Sequence, residues 1–375
     1  MTRPIAIIGP THPFKGGIAQ HTTMLAHRLV EAGADVEIVS WSSQYPKRLY
    51  PGELYVPEGR PEMEPFAKVE RRLAWNRPWG WLREGRRLRG ASLVVFVVAS
   101  SFQVVPYVGI LLALGPRTAR RVALYHNVVP HEHRPFDGLL SRVMLRMTDD
   151  VIVHTPDEER EARRLGARSV VTRQLPPNLI VRRAAPRASR VQRGDSLRVL
   201  FFGLVREYKG LDVLLRAIVG VPQVTVTVAG EFWGGIEPWL QLVGELGLEG
   251  RVELRPGYVP ADELPGLFSG ADVVALPYRS ATGSVNATLA LDFGVPVIST
   301  RVGGLVDALG DGAYGALCEP DDVGALGAAL EQACEPVVLH RWRRAVSDRQ
   351  ASWGDQWDPY VAAVLELRDR RPESR

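Results

Sequence analysis

The chain has 375 residues, 46% of them hydrophobic and 23% charged, which is a globular composition with enough length for two ordinary domains. A formal net charge of +4 gives no reason to expect a nucleic-acid partner. The two cysteines, Cys318 and Cys334, have the spacing of neither a disulfide framework nor a zinc site, and the N-terminus lacks a signal-peptide pattern. We therefore expect a cytoplasmic protein.

Apolar runs and helical patterns alternate in the first half of the chain. Ile5–Gly9 and Val36–Ser40 are predicted strands, and Ile18–Glu31 between them is a predicted helix. This βαβ beginning indicates a parallel sheet. The loop before the helix carries Gly16-Gly17 without a G-x-G-x-x-G fingerprint, which argues against a nicotinamide enzyme. Three more predicted strands and a helix follow: Leu93–Ala99, Val122–Tyr125, Asp150–His154 and the helix Asp157–Leu165.

The run Ala91–Gly115 is long and apolar enough to raise the question of a transmembrane helix. Ser100-Ser101, Gln103 and Pro106 interrupt it, which divides it into a strand and a following helix. We therefore expect no membrane span here.

The segment Phe66–Gly90 is basic and aromatic. It holds eight lysines and arginines against two glutamates, with Trp75, Trp79 and Trp81 interleaved. Such a segment can lie on an anionic membrane, which would place the protein peripherally on the inner face of the plasma membrane. The alternative is a solvated helical face whose tryptophans pack inward.

A polar loop follows the predicted strand Val122–Tyr125. It begins with His126-Asn127 and continues with His131-Glu132-His133. This spacing matches no recognised pattern of metal ligands, so we expect no metal. We favour a polar loop that lines a cleft at the end of a sheet strand.

The alternation of strands and helices restarts after a basic linker, Arg182–Arg193. The stretch Leu197–Ile218 then predicts a strand, a loop that begins at Gly203, and a helix. Arg206 and Lys209 lie in that loop, where ligands of open α/β sheets bind. Helix N–H groups, a guanidinium and an ammonium group all favour an anion there. The alternative is a solvated basic turn, and in either case we expect Lys209 to face solvent.

A second candidate cradle for an anion or a sugar is Ser280–Ser284, which is small, hydroxyl-rich and placed before the predicted helix Val285–Phe293. The alternative is that it only caps that helix. The chain therefore shows two similar α/β halves, and a cleft between two such sheets suits a nucleotide and a second substrate. The other predicted strands of the second half are Val224–Ala229, Arg251–Leu254, Val273–Leu276 and Val297–Ser299.

Taken together and in order, these motifs resemble the family-4 glycosyltransferases of the GT-B fold. The matching segments are Gly16-Gly17 with IAQH, HNVVPHE at 126–132, FFGLVREYKG at 201–210, GADVVALPY at 270–278 and FGVPVISTRVGG at 293–304. The resemblance implies an α/β fold in which two Rossmann-like domains face each other across a cleft. It implies an N-terminal acceptor-binding domain over 1–180, a linker over 181–195, a C-terminal domain for the sugar nucleotide over 196–352, and a last helix within 353–375 that crosses back to the N-terminal domain.

The resemblance also implies an activity. It is the metal-independent transfer of a hexosyl group from a nucleoside-diphosphate sugar to an acceptor, with retention of anomeric configuration and without a cofactor. The acceptor would be a polysaccharide, a glycolipid or a natural product. The sequence contains no D-x-D triplet, which agrees with metal independence. Two alternatives stay open: a catalytically silent protein of this fold that only binds a ligand, and an epimerase of sugar nucleotides.

The family's functional positions are carried over by motif. Lys209 matches the lysine that grips the donor diphosphate, and His126 matches the histidine at the reacting centre. Arg206 is assigned by its chemistry, because the family's arginine falls near Leu204. The implied catalytic residues are therefore His126, Arg206 and Lys209. Further donor-binding residues are Gly16, Gly17, Gly203, Gly230, Tyr258, Thr282, Gly283, Ser284, Val285, Asn286 and Leu289, and the acceptor-side residues are His21, Asn127 and His131.

One departure from the family pattern is large. The family commonly carries two glutamates, E-x7-E, near the donor sugar and the ribose, and the corresponding positions here are Ala281 and Leu289. We therefore expect the sugar and ribose contacts to come from Thr282, Ser284 or Asn286.

Overall fold

The computed structural model describes residues 3–44, 55–56, 63–115, 118–128, 136–176, 196–281, 284–352 and 356–370. The chain divides into two compact units. The first unit comprises Met1–Asn178 together with Asp355–Arg375, and the second comprises Leu179–Gly354. The C-terminal segment therefore belongs to the first unit. The predicted linker over 181–195 lies outside the described residues.

Strands and helices alternate along the described parts of the chain. The strands are β1 Ile5–Ile8, β2 Val36–Ser43, β3 Val69–Ala74, β4 Leu93–Val98, β5 Arg120–Tyr125, β6 Asp150–Val153, β7 Val170–Thr172, β8 Leu197–Phe202, β9 Val224–Gly230, β10 Val252–Pro256, β11 Val273–Leu276, β12 Val297–Thr300 and β13 Gly315–Cys318. The helices are α1 Gly17–Glu31, α2 Pro78–Arg87, α3 Val104–Leu114, α4 Asp137–Met147, α5 Pro156–Leu165, α6 Leu211–Val219, α7 Glu237–Glu245, α8 Leu264–Ser269, α9 Val285–Asp292, α10 Leu305–Ala308, α11 Val323–Cys334, α12 Pro336–Ser352 and α13 Trp357–Asp369.

The first unit is built on a parallel sheet of seven strands in the order β3-β2-β1-β4-β5-β6-β7. Its central strand, Leu93–Val98, is apolar at every position and fully buried, because helices cover both faces of the sheet. On one face, Ile5 and Ile7 of β1 pack in a cluster that includes Tyr360 and Val364 of α13. The last helix thus completes the core of the first unit.

The second unit repeats this plan with a parallel sheet of six strands in the order β10-β9-β8-β11-β12-β13. Separate apolar clusters cover its two faces. In both units the strand order reverses beside the first strand, between β1 and β4 and between β8 and β11. A crevice forms outside the carboxyl ends of the strands at such a point, and ligands of open α/β sheets bind there.

The structure tests the expectations for the two segments that were considered for membrane contact, Ala91–Gly115 and Phe66–Gly90. Ala91–Gly115 divides into β4 and α3 as predicted, and no helix of the described ranges combines the length and the apolar character needed to cross a membrane. The alternative predicted for Phe66–Gly90, a solvated helical face, is wrong for the first part of the segment. Val69–Ala74 pairs with β2 as an edge strand before α2 begins. Its tryptophans divide as well: Trp81 packs inward, whereas the side chain of Trp79 is 82% exposed.

Candidate functional site

The loops after β8 and β11 meet at the point where the strand order of the second unit reverses, here called its switch point. The loop after β8 runs from Gly203 through a 3-10 turn, Glu207–Lys209, into α6. The loop after β11 runs from Pro277 to Ser284 at the start of α9, although Thr282 and Gly283 lie outside the described residues. The two basic residues and the hydroxyl-rich loop predicted from the sequence therefore belong to one edge of one sheet.

The backbone is tightly packed where the strands end. Gly203 has a φ of 98°, and a Cβ atom there would lie 3.0 Å from Nδ2 of Asn286 and 3.5 Å from Nζ of Lys209. A Cβ atom on Gly230, at the end of β9, would lie 2.0 Å from the carbonyl oxygen of Gly203. A side chain at Gly203 would adopt a strained conformation and press on both polar groups. Glycine at this position leaves room for both polar groups beside the strand end.

The expectation that Lys209 faces solvent is wrong. Its side chain is only 8% exposed, and its Nζ lies 5.4 Å from the centroid of the Tyr278 ring. Burial lowers the pKa of Lys209, and the nearby Arg206 acts in the same direction. The ammonium is thus partly stripped of water and held against an aromatic face, where its interaction with an anion is stronger than at an exposed site.

Arg206 is half-buried beside Lys209. Its Cζ atom lies 4.6 Å from the ring centroid of Trp233 and 5.9 Å from that of Tyr208. An aromatic face holds the plane of a guanidinium in one orientation. Arg206 and Lys209 therefore form a pair of cations whose positions are fixed by aromatic neighbours.

Arg279 holds the Lys209 turn in place, a role that no sequence pattern indicated. Its Nη1 donates to the carbonyl of Glu207 at 2.5 Å, and its backbone N–H donates to the carbonyl of Tyr208 at 2.7 Å. The same guanidinium pairs with Asp212 at 2.8 Å and with Asp321 at 2.7 Å. Arg279 immediately precedes Ser280–Ser284, so it couples both loops of the site.

Asn286 links the same two loops from the other side. Its Nδ2 donates to the carbonyl of Phe202 at 2.8 Å and lies 3.2 Å from the hydroxyl of Tyr278. The side chain of Ser284 is also hydrogen-bonded to Tyr278. Leu289, one turn further along α9, is only 6% exposed and belongs to the apolar core. Its side chain packs inward, and its assignment as a donor-binding residue stays a prediction.

Tyr258 follows β10 at the same edge of the sheet and lines a cavity of about 700 Å³. Gly257 and Ala229, at the ends of neighbouring strands, also line this cavity, together with Leu267 of α8. This volume lies within the range of sites for small ligands.

Val285 begins α9 and is half-buried, as are Ser284 and Asn286.

The first unit brings three histidines together at the carboxyl edge of its sheet. His126 follows β5, His154 follows β6, and His21 lies in α1. The ring centroid of His126 lies 5.0 Å from that of His21 and 5.1 Å from that of His154. Trp357 of α13 stacks on His21 at 5.2 Å, and Tyr360 contacts the same ring edge-on at 5.3 Å.

These histidines are held neutral. Burial lowers the pKa of His21 and of His126 well below its usual range, and lowers that of His154 to about 4. The Nδ1–H of His154 donates to the carbonyl of Arg173 at 3.1 Å. Within the described residues, both ring nitrogens of His21 and Nε2 of His126 have no hydrogen-bond partner. Burying polar atoms without hydrogen-bond partners costs free energy of folding. Their presence here is therefore consistent with a functional role for this cluster.

The remaining predicted residues of the first unit lie at or near this edge. Gly16 precedes α1 with a φ of 102°, and Gly17 begins the helix, whose first turn carries no acidic residue. Asn127 follows His126 and is half-buried, whereas His131 lies outside the described residues. Among the residues that the structure describes, no group of three or more His, Cys, Asp or Glu side chains is arranged to hold a metal ion.

Each of the two units matches the model of a known protein family. A family model described as a glycosyl transferase 4-like domain matches residues 16–178, and one described as glycosyl transferases group 1 matches residues 196–335. The chain belongs to the family-4 glycosyltransferases. The resemblance stated from the motifs is thereby confirmed.

Curated relatives of this family-4 chain include D-inositol 3-phosphate glycosyltransferases. The protein of that name from Mycolicibacterium smegmatis is 33% identical over 188 residues, which is 48% of this chain and 43% of the relative. One from Mycobacterium tuberculosis is 32% identical over 231 residues, 57% of this chain and 48% of the relative. The matched region thus spans less than half the length of these relatives.

Solved structures establish the fold of this family-4 chain. Sucrose-phosphate synthase from Thermosynechococcus elongatus superposes with a TM-score of 0.77 at 20% identity, covering 97% of this chain and 98% of that one. HepE of Anabaena, solved with UDP-glucose, superposes with a TM-score of 0.72 at 16% identity, covering 96% and 99%. The predicted GT-B fold class is confirmed.

Proposed function

We propose that this chain is a retaining glycosyltransferase that moves a hexosyl group from a nucleoside-diphosphate sugar to an acceptor without a metal ion. The observation that carries the proposal is the cation pair of the second unit, Arg206 and the buried Lys209, at the switch point of the sheet. Two cations beside strand ends and a helix N-terminus suit a diphosphate. The relatives named glycosyltransferases and the neighbours solved with UDP or UDP-glucose support this choice of donor.

The chemistry that the residues offer is electrostatic. The difficult step is loss of the nucleoside diphosphate from the anomeric carbon, during which negative charge builds on the phosphate oxygens. Fixed cations in a poorly hydrated site stabilise that charge without reorganising during the reaction. Arg206 and Lys209 take this role in the proposal, with backbone N–H groups at the start of α6.

In the proposal, the base, the sugar and the ribose of the donor are assigned to residues near the cation pair. The cavity lined by Tyr258 would take the base, and Ser284, Val285 and Asn286 would lie beside the sugar and the ribose. His126 contributes a neutral imidazole, so it would act through hydrogen bonding to the reacting sugar or the acceptor rather than as a cationic acid. His21 and Asn127 would lie on the acceptor side.

Incubation with a panel of UDP-, GDP- and ADP-sugars in the presence of EDTA tests the proposal. We expect release of nucleoside diphosphate from one donor, and a transferred sugar whose anomeric configuration, read by NMR, matches that of the donor. A Lys209→Met variant, which keeps the volume of the side chain, should not release it. Isomerised donor without net release would favour the epimerase, and binding without turnover would favour a silent protein.

A further inference from the structure

Asp321, in the loop after β13, has a backbone conformation that few residues other than glycine adopt. Its φ is 58°, in the left-handed region, and among the described residues Asp311 is the one other non-glycine with a positive φ. This conformation costs free energy of folding for every L-residue, although less for aspartate than for most. Residues held in it are concentrated at functional sites. The contacts of the Asp321 side chain therefore bear on why an aspartate, rather than a glycine, occupies this position.

The side chain of Asp321 pairs with Arg279. Its Oδ1 accepts a hydrogen bond from Nε of Arg279 at 2.7 Å, and the carboxylate is 57% exposed. An ion pair this exposed to water adds little to stability. What the pair does provide is a connection, because it joins the loop after β13 to the loop after β11. Stability is thus a weak reason to keep a strained aspartate here, whereas the placement of Arg279 is a specific one.

The guanidinium of Arg279 uses most of its hydrogen-bonding capacity within the protein. A guanidinium has five N–H groups. Arg279 donates one hydrogen bond to Asp321, one to the carbonyl of Glu207 and two to the carboxylate of Asp212. Because four hydrogen bonds are made to the protein, we do not expect Arg279 to grip a substrate anion itself. Its effect on an anion must act through the residues that it holds.

Arg279 holds the segment that carries Lys209 from both sides. On one side it binds the carbonyl of Glu207, the first residue of the 3-10 turn that ends at Lys209. On the other side it pairs with Asp212, in the first turn of α6. A carboxylate in the first turn of a helix competes with any external anion for the positive end of the helix dipole. Pairing with Arg279 neutralises that carboxylate, so the start of α6 stays favourable for an anion.

We propose that Arg279 and Asp321 are positioning residues for Lys209. Asp321 orients the guanidinium of Arg279, and Arg279 fixes the turn that carries Lys209 while it neutralises Asp212. The strained backbone of Asp321 is then retained for anion binding rather than for stability. This inference rests on the proposed function in one respect: it takes Lys209 as a cation that meets the diphosphate of the donor.

Titration of the full chain with inorganic pyrophosphate, followed by phosphorus NMR into the millimolar range, tests the role of Arg279. Arg279→Lys keeps the positive charge but loses the fork of donors, so we expect binding about tenfold weaker. In a Lys209→Met background the same substitution should change the dissociation constant less than about twofold, because residues that act through one another are not additive. A tenfold loss in both backgrounds would mean that Arg279 acts independently of Lys209, and would overturn the proposal. So would a failure of the unaltered chain to bind pyrophosphate.

The matched control for Arg279 is Arg251→Lys. Nη1 of Arg251 donates to the carbonyls of Ile218 and Val221, at 2.9 Å each, so this arginine also holds a loop by its backbone. It immediately precedes β10, at the opposite edge of the sheet from Lys209. Binding of pyrophosphate should be unchanged in this variant. Equal weakening by both substitutions would mean that any lost arginine contact loosens the unit, which would contradict a specific role for Arg279.

Asp321→Gly separates a positioning role from a structural one. Glycine adopts the left-handed conformation without strain, so the urea midpoint of unfolding should not fall, whereas pyrophosphate should bind about threefold more weakly. Asp311→Gly is the matched control, since Asp311 has a φ of 48° and pairs with Arg301 at 2.7 Å. It should leave pyrophosphate binding unchanged. A lower urea midpoint with unchanged binding in Asp321→Gly would make Asp321 a structural residue.

The outcomes separate this inference from the proposed function. Pyrophosphate binding that depends on Arg279, in a chain that releases nucleoside diphosphate from no donor, would remove the proposed function and keep the inference. In a chain that does turn over a donor, Arg279→Lys should raise KM for that donor more than it lowers kcat. Turnover that is the same in Arg279→Lys and in the unaltered chain at every donor concentration would remove the inference and keep the function.

Discussion

The two units share one topology but differ in charge at the edge where their strands end. The first unit places three neutral histidines there, and the second places Arg206 and Lys209. Burial acts on both sets, but the histidines lose their charge at neutral pH whereas arginine does not. The sheet thus sets where a site lies, and the loops decide what it binds.

The units differ in their surfaces as well. The exposed apolar side chains of the second unit, Val219, Leu240 and Val337, belong to three different helices, as on an ordinary soluble surface. In the first unit, Trp79 of α2, Val105 and Leu112 of α3 and Leu139 of α4 are exposed. The cations that aromatic rings hold near its strand ends are the reason to expect a phosphate anion on the second unit.

Removal of Lys209 tests whether the second unit binds the phosphate anion. One oriented charge on a diphosphate is worth about 2–4 kcal/mol, so Lys209→Ala should weaken binding of the donor about 30- to 1000-fold in calorimetric titration. Because the side chain is buried, Lys209→Met should accompany it to keep the packing. The control is Arg216→Gln, an exposed cation of the neighbouring helix α6. An unchanged dissociation constant in both Lys209 variants would remove the site from this loop.

Acid should destabilise the first unit selectively. The unfolded chain protonates His21, His126 and His154 near pH 6.5 whereas the folded unit does not, so stability falls as the pH falls below that value. Between pH 7.5 and 5.5 this costs about 1.4 kcal/mol for each histidine, about 4 kcal/mol for the three together. Glu158 opposes it: burial raises its pKa to about 7, so the folded unit takes up a proton and regains about 2 kcal/mol.

Hydrogen exchange, corrected for its intrinsic pH dependence, measures this difference. We expect the opening free energy of peptides from α1 and α13 to fall by about 2 kcal/mol between pH 7.5 and 5.5. Glu158→Gln should roughly double that fall. Peptides from β8 and β9 serve as the internal control, since the only histidine of the second unit, His340, is exposed. An equal fall in both units would contradict the assignment to the histidine cluster.

Removal of His126 should affect turnover more than binding. In the proposed reaction its imidazole contacts the reacting sugar or the acceptor, whereas the donor diphosphate is held by the second unit. His126→Ala should lower turnover at least tenfold, about 1.4 kcal/mol in the barrier, with little change in the nucleotide dissociation constant. His340→Ala, an exposed histidine of α12, is the control. Turnover within a factor of about three would make His126 a structural residue.

The sequence was informative where local pattern decides structure. The alternation of apolar runs and helices located β8 and α6, and with them Gly203, Arg206 and Lys209. It failed for β3, whose sequence VERRLA carries three charges, because an edge strand needs few buried positions. Local chemistry was enough to place a cation near a strand end.

Long-range contacts decided the rest. The burial of Lys209 depends on Tyr278, and Arg279 reaches Asp212 and Asp321, 67 and 42 residues away in the chain. No periodicity reveals such partners. The same holds for Leu289, which the family's spacing placed at the ribose and the packing of α9 turns into the core.

The smallest expected effect concerns the ribose. The two positions of the family's glutamates hold Ala281 and the buried Leu289, so neither offers a carboxylate to a hydroxyl group. Each charge-assisted hydrogen bond of that kind contributes about 1.5–3 kcal/mol. Nδ2 of Asn286 is engaged with Phe202 and Tyr278, and Ser284 is hydrogen-bonded to Tyr278. We therefore expect the donor to be held by its diphosphate and base, with little contribution from the 2′-hydroxyl.

Competition between UDP and 2′-deoxy-UDP measures that contribution. The two should bind within a factor of about two, less than 0.5 kcal/mol, whereas a family member with both glutamates should prefer UDP strongly. A tenfold preference for UDP in this chain would mean that a neutral group reads the ribose after all. Asn286→Ala would then identify it, because Oδ1 of Asn286 lies beside Gly203, 3.6 Å from where a Cβ atom of that residue would be. Loss of the preference in that variant would assign the ribose contact to Asn286, and its persistence would leave Thr282 and Ser284 to be tested in the same way.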